Sequence, residues 1–290
     1  MQLKDKIIRY ALTSAASISI LIVALVFLFL FKESFHFAQE TGVKVLFNDR
    51  WNPVSFFEPS FGLYPLITGS FLVTLIAAAI AVPIGVIVAV YLAEVAGEKE
   101  KEFLKPIIEI LASLPSVVLG FFGLVVVAPL VKDVFHLSSG LTALTGAILL
   151  AIMAVPTITS VSEDALRAVP STYKQASLAL GASRIQTMWL VTVPAALSGM
   201  IAAIMLGMGR VIGETMAVLM VTGNAPLLTL NPFESVRTMT ATIAGEMGEV
   251  PFGSDHYGAL FWVGLVLLLI TFILVYISQR ILKKYQVFKA

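Results

Sequence analysis

Residues 162–197 read SEDALRAVPSTYKQASLALGASRIQTMWLVTVPAAL. This stretch of polar and small residues interrupts two very apolar runs, and its punctuation predicts short helices. Ser160 with Glu163, Thr172 with Gln175, and Ser183 with Gln186 have the spacing at which a hydroxyl and a carboxyl or amide satisfy the free N–H groups of a helix start. Pro170 is expected to end the first helix, and Gly181 to supply a left-handed turn at the end of the second. Tyr173, Ala176 and Leu180 fall on one face of the second helix; Ile185, Met188, Trp189 and Thr192 fall on one face of the third. Short helices clustered at a membrane exit form a surface for another protein. The plain alternative is an inter-span loop with some helical content.

Composition sets the class. The chain has 290 residues, 58% of them hydrophobic and 13% charged, with a mean hydropathy of +0.95. Soluble domains are about 25% charged, so this is a polytopic membrane protein. The net charge of +1 gives no bulk attraction to nucleic acid. The chain has no cysteine, which excludes disulfides and thiol chemistry.

Outward from the quoted stretch, uncharged runs place six spans at about 10–31, 61–93, 110–131, 140–161, 194–223 and 258–279, in a single transmembrane domain over 1–290. The first run is too long for a signal-peptide core and lacks a small-x-small cleavage site near Phe31, so it reads as a retained span. The second run exceeds one span and must tilt or lie partly in the interface. Residues 94–105 read as a charged turn, and Pro194 as the start of the fifth span. Pro83, Pro115 and Pro156 are possible hinges, or simply kinks that shape packing. Thirteen of the nineteen Lys and Arg residues, among them Lys4, Lys105, Arg167, Lys174, Lys283, Lys284 and Lys289, cluster on the side that holds both termini and the loop 162–193. The excess of positive charge predicts that this side is cytoplasmic.

Within the fifth span stand Arg210 and Glu214. Each charge costs about 3 kcal/mol at the bilayer centre on insertion scales. At i, i+4 they share a face of a continuous helix and partly neutralise one another. Such a pair either locks helices together or serves as a way-station for an anion, with guanidinium donors suited to phosphate or carboxylate. Gly207, Gly209 and Gly213 thin the helix around the pair, and Gly209 with Gly213 has the small-xxx-small packing spacing. His36, His136 and His256 read as isolated solvated histidines, Lys99 and Lys101 as part of a solvated turn, and Glu246 and Glu249 as a solvated face or a contact for an external protein.

The loop resembles the conserved cytoplasmic loop of ATP-binding-cassette importer permeases, with Gln175, Ala176 and Ser177, then Gly181, then Val191, Val193 and Pro194 at the matching places. Gln stands for the usual Glu, and Val for Ile and Leu. Further stretches resemble the phosphate permeases of the Pst system: Trp51-Asn52-Pro53, EILASLPSVVL at 109–119, Gly120-Phe121-Phe122-Gly123-Leu124, the 209–220 run and 235–249. The Trp-Asn-Pro and Gly-Phe-Phe-Gly segments are similar to the PstC-type subunit rather than its PstA-type partner.

The resemblance implies an all-α integral membrane protein with the ABC importer permease fold, six transmembrane helices, cytoplasmic termini and cytoplasmic coupling helices, in the plasma membrane of a prokaryote. It implies phosphate passage at Arg210 and Glu214, and an ATPase-coupling loop marked by Glu163, Gln175, Ala176, Gly181 and Pro194. It also implies partners: a PstA-type permease, a PstB-type ATPase dimer that binds ATP and Mg, and an extracytoplasmic phosphate-binding protein. No cofactor or metal is expected in this chain, and no G-x-x-x-x-G-K-[ST] loop occurs in it. A permease for sulfate or molybdate is the near alternative. An ion-driven carrier would show inverted repeats, which are not evident, and an intramembrane enzyme would need a catalytic set that the spans lack.

Overall fold

The structure is a computed structural model that describes residues 3–55 and 58–285. Lys289 lies outside the described residues, and the side chains of Lys4, His36, Lys283 and Lys284 are likewise not described. In chain order the helices are α1 (Leu3–Thr41), α2 (Tyr64–Val90), α3 (Glu98–Ser113), α4 (Ser116–Phe122), α5 (Ala128–Val134) and α6 (Ala143–Arg167), then α7 (Ser171–Ala179), α8 (Arg184–Thr187), α9 (Val193–Gly213), α10 (Met216–Val221), α11 (Met239–Glu246) and α12 (Asp255–Tyr285). Wider π-helical turns at Tyr91–Val95, Gly123–Val127 and Met188–Thr192 continue α2, join α4 to α5 and join α8 to α9. A two-residue hairpin pairs β1 (Trp51–Asn52) with β2 (Ser60–Phe61).

Among the described residues, six helical stretches are long and apolar enough to cross a bilayer: Ile8–Phe35, Tyr64–Val95, Ser116–Val134, Ala143–Arg167, Arg184–Gly213 and Asp255–Arg280. The fold is all-α and membrane-spanning, as its composition requires. Its core is the α2–α6–α9 layer, and small residues set its spacing. Ala77 and Ala81 of α2 and Ala147, Ala151 and Ala154 of α6 are fully or almost fully buried. Ile158 of α6 sits between two glycines. A Cβ on Gly85 would lie 2.7 Å from it and one on Gly207 2.6 Å, so neither helix tolerates a side chain there. By contrast, α1 packs mainly on α12, with Phe29 edge-on to Phe261, and exposes most of its length.

The structure corrects several local expectations. Residues 98–113 are not a charged turn but an amphipathic helix, which starts where Glu100 accepts the Gly97 N–H at 3.1 Å. Lys99 stands on its exposed face. The third span is therefore not continuous over 110–131: α3 ends at Ser113, and α4 begins after Leu114 and Pro115, both extended (ψ 133° and 137°). Proline lacks an N–H and pushes the residue before it out of helical geometry. Ser160 and Glu163 do not start a helix, because α6 runs on to Arg167 to bury Leu166. The helix stops at Arg167, ahead of Pro170 as expected; Pro170 is also the N-cap of α7, which leaves Thr172 inside the first turn with no capping bond. Ser183 and Gln186 do form the expected reciprocal cap, at 3.2 and 2.8 Å. Pro194 does not open the fifth span either, since the helical stretch begins at Arg184. The loop 162–193 thus shrinks to α7 and its two connections.

Candidate functional site

The fifth span is broken where the charged pair stands. α9 ends at Gly213, and Glu214 is extended (φ −70°, ψ 132°). The i, i+4 expectation fails for that reason: a shared face requires a continuous helix, and among the described residues no ion pair joins Arg210 to Glu214. Glu214 instead turns onto the start of α10, where its Oε1 accepts the N–H groups of Thr215 at 3.0 Å and Ala217 at 3.3 Å. Its own carbonyl accepts from Thr240 Oγ1 at 2.8 Å. These bonds satisfy the Glu214 carbonyl and two of the N–H groups freed at the break.

Thr240 is available because α11 packs back into the bundle. Met239 to Thr242 are buried, although 227–256 reads as a polar outer segment. The α11 start is capped by Thr238 Oγ1, which accepts from the Ala241 N–H at 3.2 Å, and by Ser70 Oγ of α2, which accepts from the Met239 N–H at 2.9 Å. On the far side of this seam, α2, α9 and α12 line a largely apolar cleft of about 650 Å³, with Phe71, Leu75, Met205 and Leu274 on its walls.

Arg210 points the other way. Its Nη2 donates to the carbonyl of Ala112 at 3.2 Å, and its Nη1 to Thr157 Oγ1 of α6 at 3.4 Å. Ala112 lies in the last turn of α3, where carbonyls have lost their helical partners. A half-exposed guanidinium from one broken span therefore sits on the open end of another. The two breaks are brought together by the Gly-Phe-Phe-Gly run. A Cβ on Gly120 would lie 2.8 Å from Met220 Sδ, and one on Gly123 would lie 2.9 Å from Val221. The glycines face α10 while Phe121 and Phe122 face outward. Gly209 and Gly213 have nothing within 4 Å, so among the described residues no helix uses their small-xxx-small spacing. Thr157, Thr240 and the Ala112 carbonyl carry no signal in the sequence; only the proline at 115 hints at freed carbonyls nearby.

The residues expected to mark a coupling loop divide into a buried and an exposed set. Glu163 is 1% exposed and lies between Arg167 at 2.6 Å and Lys105 of α3 at 3.4 Å, as ion-pair contacts rather than aligned hydrogen bonds. Lys174 of α7 pairs with Glu94 at the end of the second span, at 2.5 Å. Ser177 bonds Thr187 of α8 at 2.9 Å. α7 is therefore tied to two spans at once. Gln175 and Ala176 are exposed, and Leu180 is 90% exposed. Gly181 is left-handed (φ 86°), and the N–H of Ala182 returns to the Ser177 carbonyl at 3.2 Å, closing the turn. Pro194 lies in the first turn of α9; Pro83 and Pro156 lie inside unbroken helices, and Pro115 lies in the break.

At the opposite end, Glu246 and His256 are not solvated as expected. The carboxylate of Glu246 accepts from Trp51 Nε1 (3.1 Å), contacts His256 Nε2 (2.8 Å) and pairs with Arg237. Trp51, 3% exposed, thereby ties the β1–β2 hairpin to α11 and α12, while Glu249 stays exposed. Among the described residues no group of three or more metal-ligating side chains converges.

A six-span bundle with helix joints at the start of the third span and the end of the fifth, and a short helix slung between the fourth and fifth, is a polytopic membrane fold. The chain belongs to the family of binding-protein-dependent transport system inner membrane components, whose model matches residues 81–285. It is 40% identical over 242 residues to a probable ABC transporter permease protein, YqgH, of Bacillus subtilis, covering 82% of this chain and 78% of that one. It is 33% identical over 297 residues to the phosphate transport system permease protein PstC of Mesorhizobium japonicum (96% and 90%), and 34% identical over 262 residues to PstC of Pasteurella multocida (84% and 80%). Its fold is similar to a chain of the bacterial alginate ABC transporter solved with a pentasaccharide-bound periplasmic protein (TM-score 0.66, 13% identity, all of both chains). It is also similar to a chain of the MetNI methionine ABC transporter (TM-score 0.57, 19% identity, 77% of this chain and 94% of that one). The protein is a multi-pass membrane component of an ABC transport system, not an enzyme in its own right.

Proposed function

We propose that this chain is the PstC-type permease of a prokaryotic plasma-membrane importer for inorganic phosphate. The observation that carries the reading is joint. A relative named as a phosphate permease matches nearly the whole chain, and Arg210, three residues before the end of the fifth span, reaches the last turn of α3 just before the third. Guanidinium is always charged and presents five donors; Arg210 uses two of them on Thr157 and Ala112, which leaves donors for an oxyanion on the side opened by Gly209 and Gly213. Glu214, committed to the start of α10, keeps a negative charge nearby so that the anion does not bind too tightly to leave.

In this reading a PstA-type permease supplies the other half of the path, and a phosphate-binding protein delivers the anion to the Trp51–Glu246–His256 end. A PstB-type ATPase dimer docks on Tyr173, Leu178 and Leu180 of the α7 segment and binds ATP and Mg. Closure of that dimer moves α7, and the ties from Lys174 to Glu94 and from Ser177 to Thr187 pass the movement to the second and fifth spans. Both termini and α7 are cytoplasmic, in keeping with the bias of positive charge. The test is phosphate uptake by the reconstituted complex. Arg210→Ala and Arg210→Lys should abolish it while the complex still assembles; normal uptake by both variants overturns the reading.

A further inference from the structure

The α3 helix is held unusually lightly. None of its residues is buried, and it ends in a two-residue extended joint at Leu114–Pro115. Near its start, Glu100 accepts from Tyr91 Oη at 3.0 Å. At mid-length Lys105 reaches Glu163 at 3.4 Å, and at the far end Arg210 holds the Ala112 carbonyl at 3.2 Å. Glu163 is sealed in α6, and its other cationic neighbour, Arg167, stands one turn before α7. α3 therefore runs alongside α6 from the helix break to the cytoplasmic segment.

We propose that Arg210 is a latch on α3, and that a bound oxyanion competes with the Ala112 carbonyl for its guanidinium. This rests on the reading of Arg210 as the anion station. The Ala112 carbonyl is neutral, whereas an oxyanion adds the attraction of opposite charges to its hydrogen bonds, so an oxyanion that reaches the spare donors of Arg210 and turns the guanidinium toward itself takes Nη2 from the carbonyl. Thr157, on Nη1, keeps the guanidinium in place while Nη2 changes partner. Once released, α3 swings at Leu114–Pro115, and Lys105 draws on Glu163 and Arg167 beside the α7 segment. Occupancy of the path is thereby reported to the surface where ATP hydrolysis is triggered, before any span has moved as a whole.

The absence of native cysteine makes the test direct. Phe103→Cys and Val134→Cys, both exposed positions on either side of the joint, are spin-labelled in the intact transporter complex, and the distance between them is measured by pulsed electron resonance. Inorganic phosphate, added free and on the binding protein, should shift the distribution relative to chloride. Arg210→Ala and Arg210→Met, which lack the donor, should show the shifted distribution without phosphate. If both variants keep the unshifted distance, the latch is overturned. If the variants shift but phosphate leaves the Arg210-containing protein unchanged, the latch stands, and the anion station at Arg210 is what fails.

Discussion

The two helix breaks solve the same problem in opposite ways. At the Glu214–Thr215 break, the freed groups find carboxylate and hydroxyl partners. Glu214 caps α10, Thr240 takes the Glu214 carbonyl, and α11 is itself capped by Thr238 and Ser70. At the Leu114–Pro115 break, proline ends the helix, Ser113 takes the Ile110 carbonyl, and the Ala112 carbonyl is left to Arg210. The first break is closed by short neutral side chains and a carboxylate on its own backbone. The second is closed by a long cation with donors to spare. A break finished by local capping is a fixed shape, whereas one finished by a mobile charge can be opened by whatever that charge prefers.

The sharpest way to break this comparison is Arg210→Ala, which should lower phosphate uptake by about 100-fold or more, as expected for a lost charged contact worth roughly 3 kcal/mol. Uptake assays in cells and proteoliposomes check it, with subunit stoichiometry as the control for assembly.

Next in size is Gly181→Val. Its φ of 86° costs a β-branched residue about 1–2 kcal/mol, and the deformed turn should leave ATP hydrolysis running while uptake falls. Measuring the two rates on one preparation decides it, and an unchanged ratio speaks against the role of α7.

Glu214→Ala removes a helix-start acceptor and should lower the unfolding midpoint by the equivalent of about 1 kcal/mol, while Glu214→Gln, which keeps an acceptor oxygen, should recover most of that loss. Equal destabilisation by both would mean that the charge, not the cap, supports the break. The smallest effect is expected for Thr157→Val. Loss of one neutral partner should raise the apparent KM for uptake by about three- to tenfold with little change in kcat, whereas a drop in kcat alone would take Thr157 out of the anion site.

Much of the site was legible because its residues are out of place where they stand. Arg210 is the one cation within the six apolar runs read from the sequence, so its position announces it. Gly181 declares a left-handed turn, and the Ser183–Gln186 cap is complete within four residues. What was misread depends on partners distant in sequence. Glu246 reads as solvated until Trp51, 195 residues away, and Arg237 and His256 close around it. Glu163 reads as a helix cap until Lys105 and Arg167 enclose it.

By itself, the order of residues determined that this is a six-span, cysteine-free membrane protein with a short helix between the fourth and fifth spans. Hydropathy and local turn chemistry act over twenty residues or fewer and need no neighbour. Only the tertiary structure decided that the charged pair is no pair, that helix breaks fall at the start of the third span and the end of the fifth, and which groups finish each break. The reason is physical: a freed backbone group inside a bilayer must find a partner wherever one is near. Which one is near is a matter of how helices far apart in the chain are stacked.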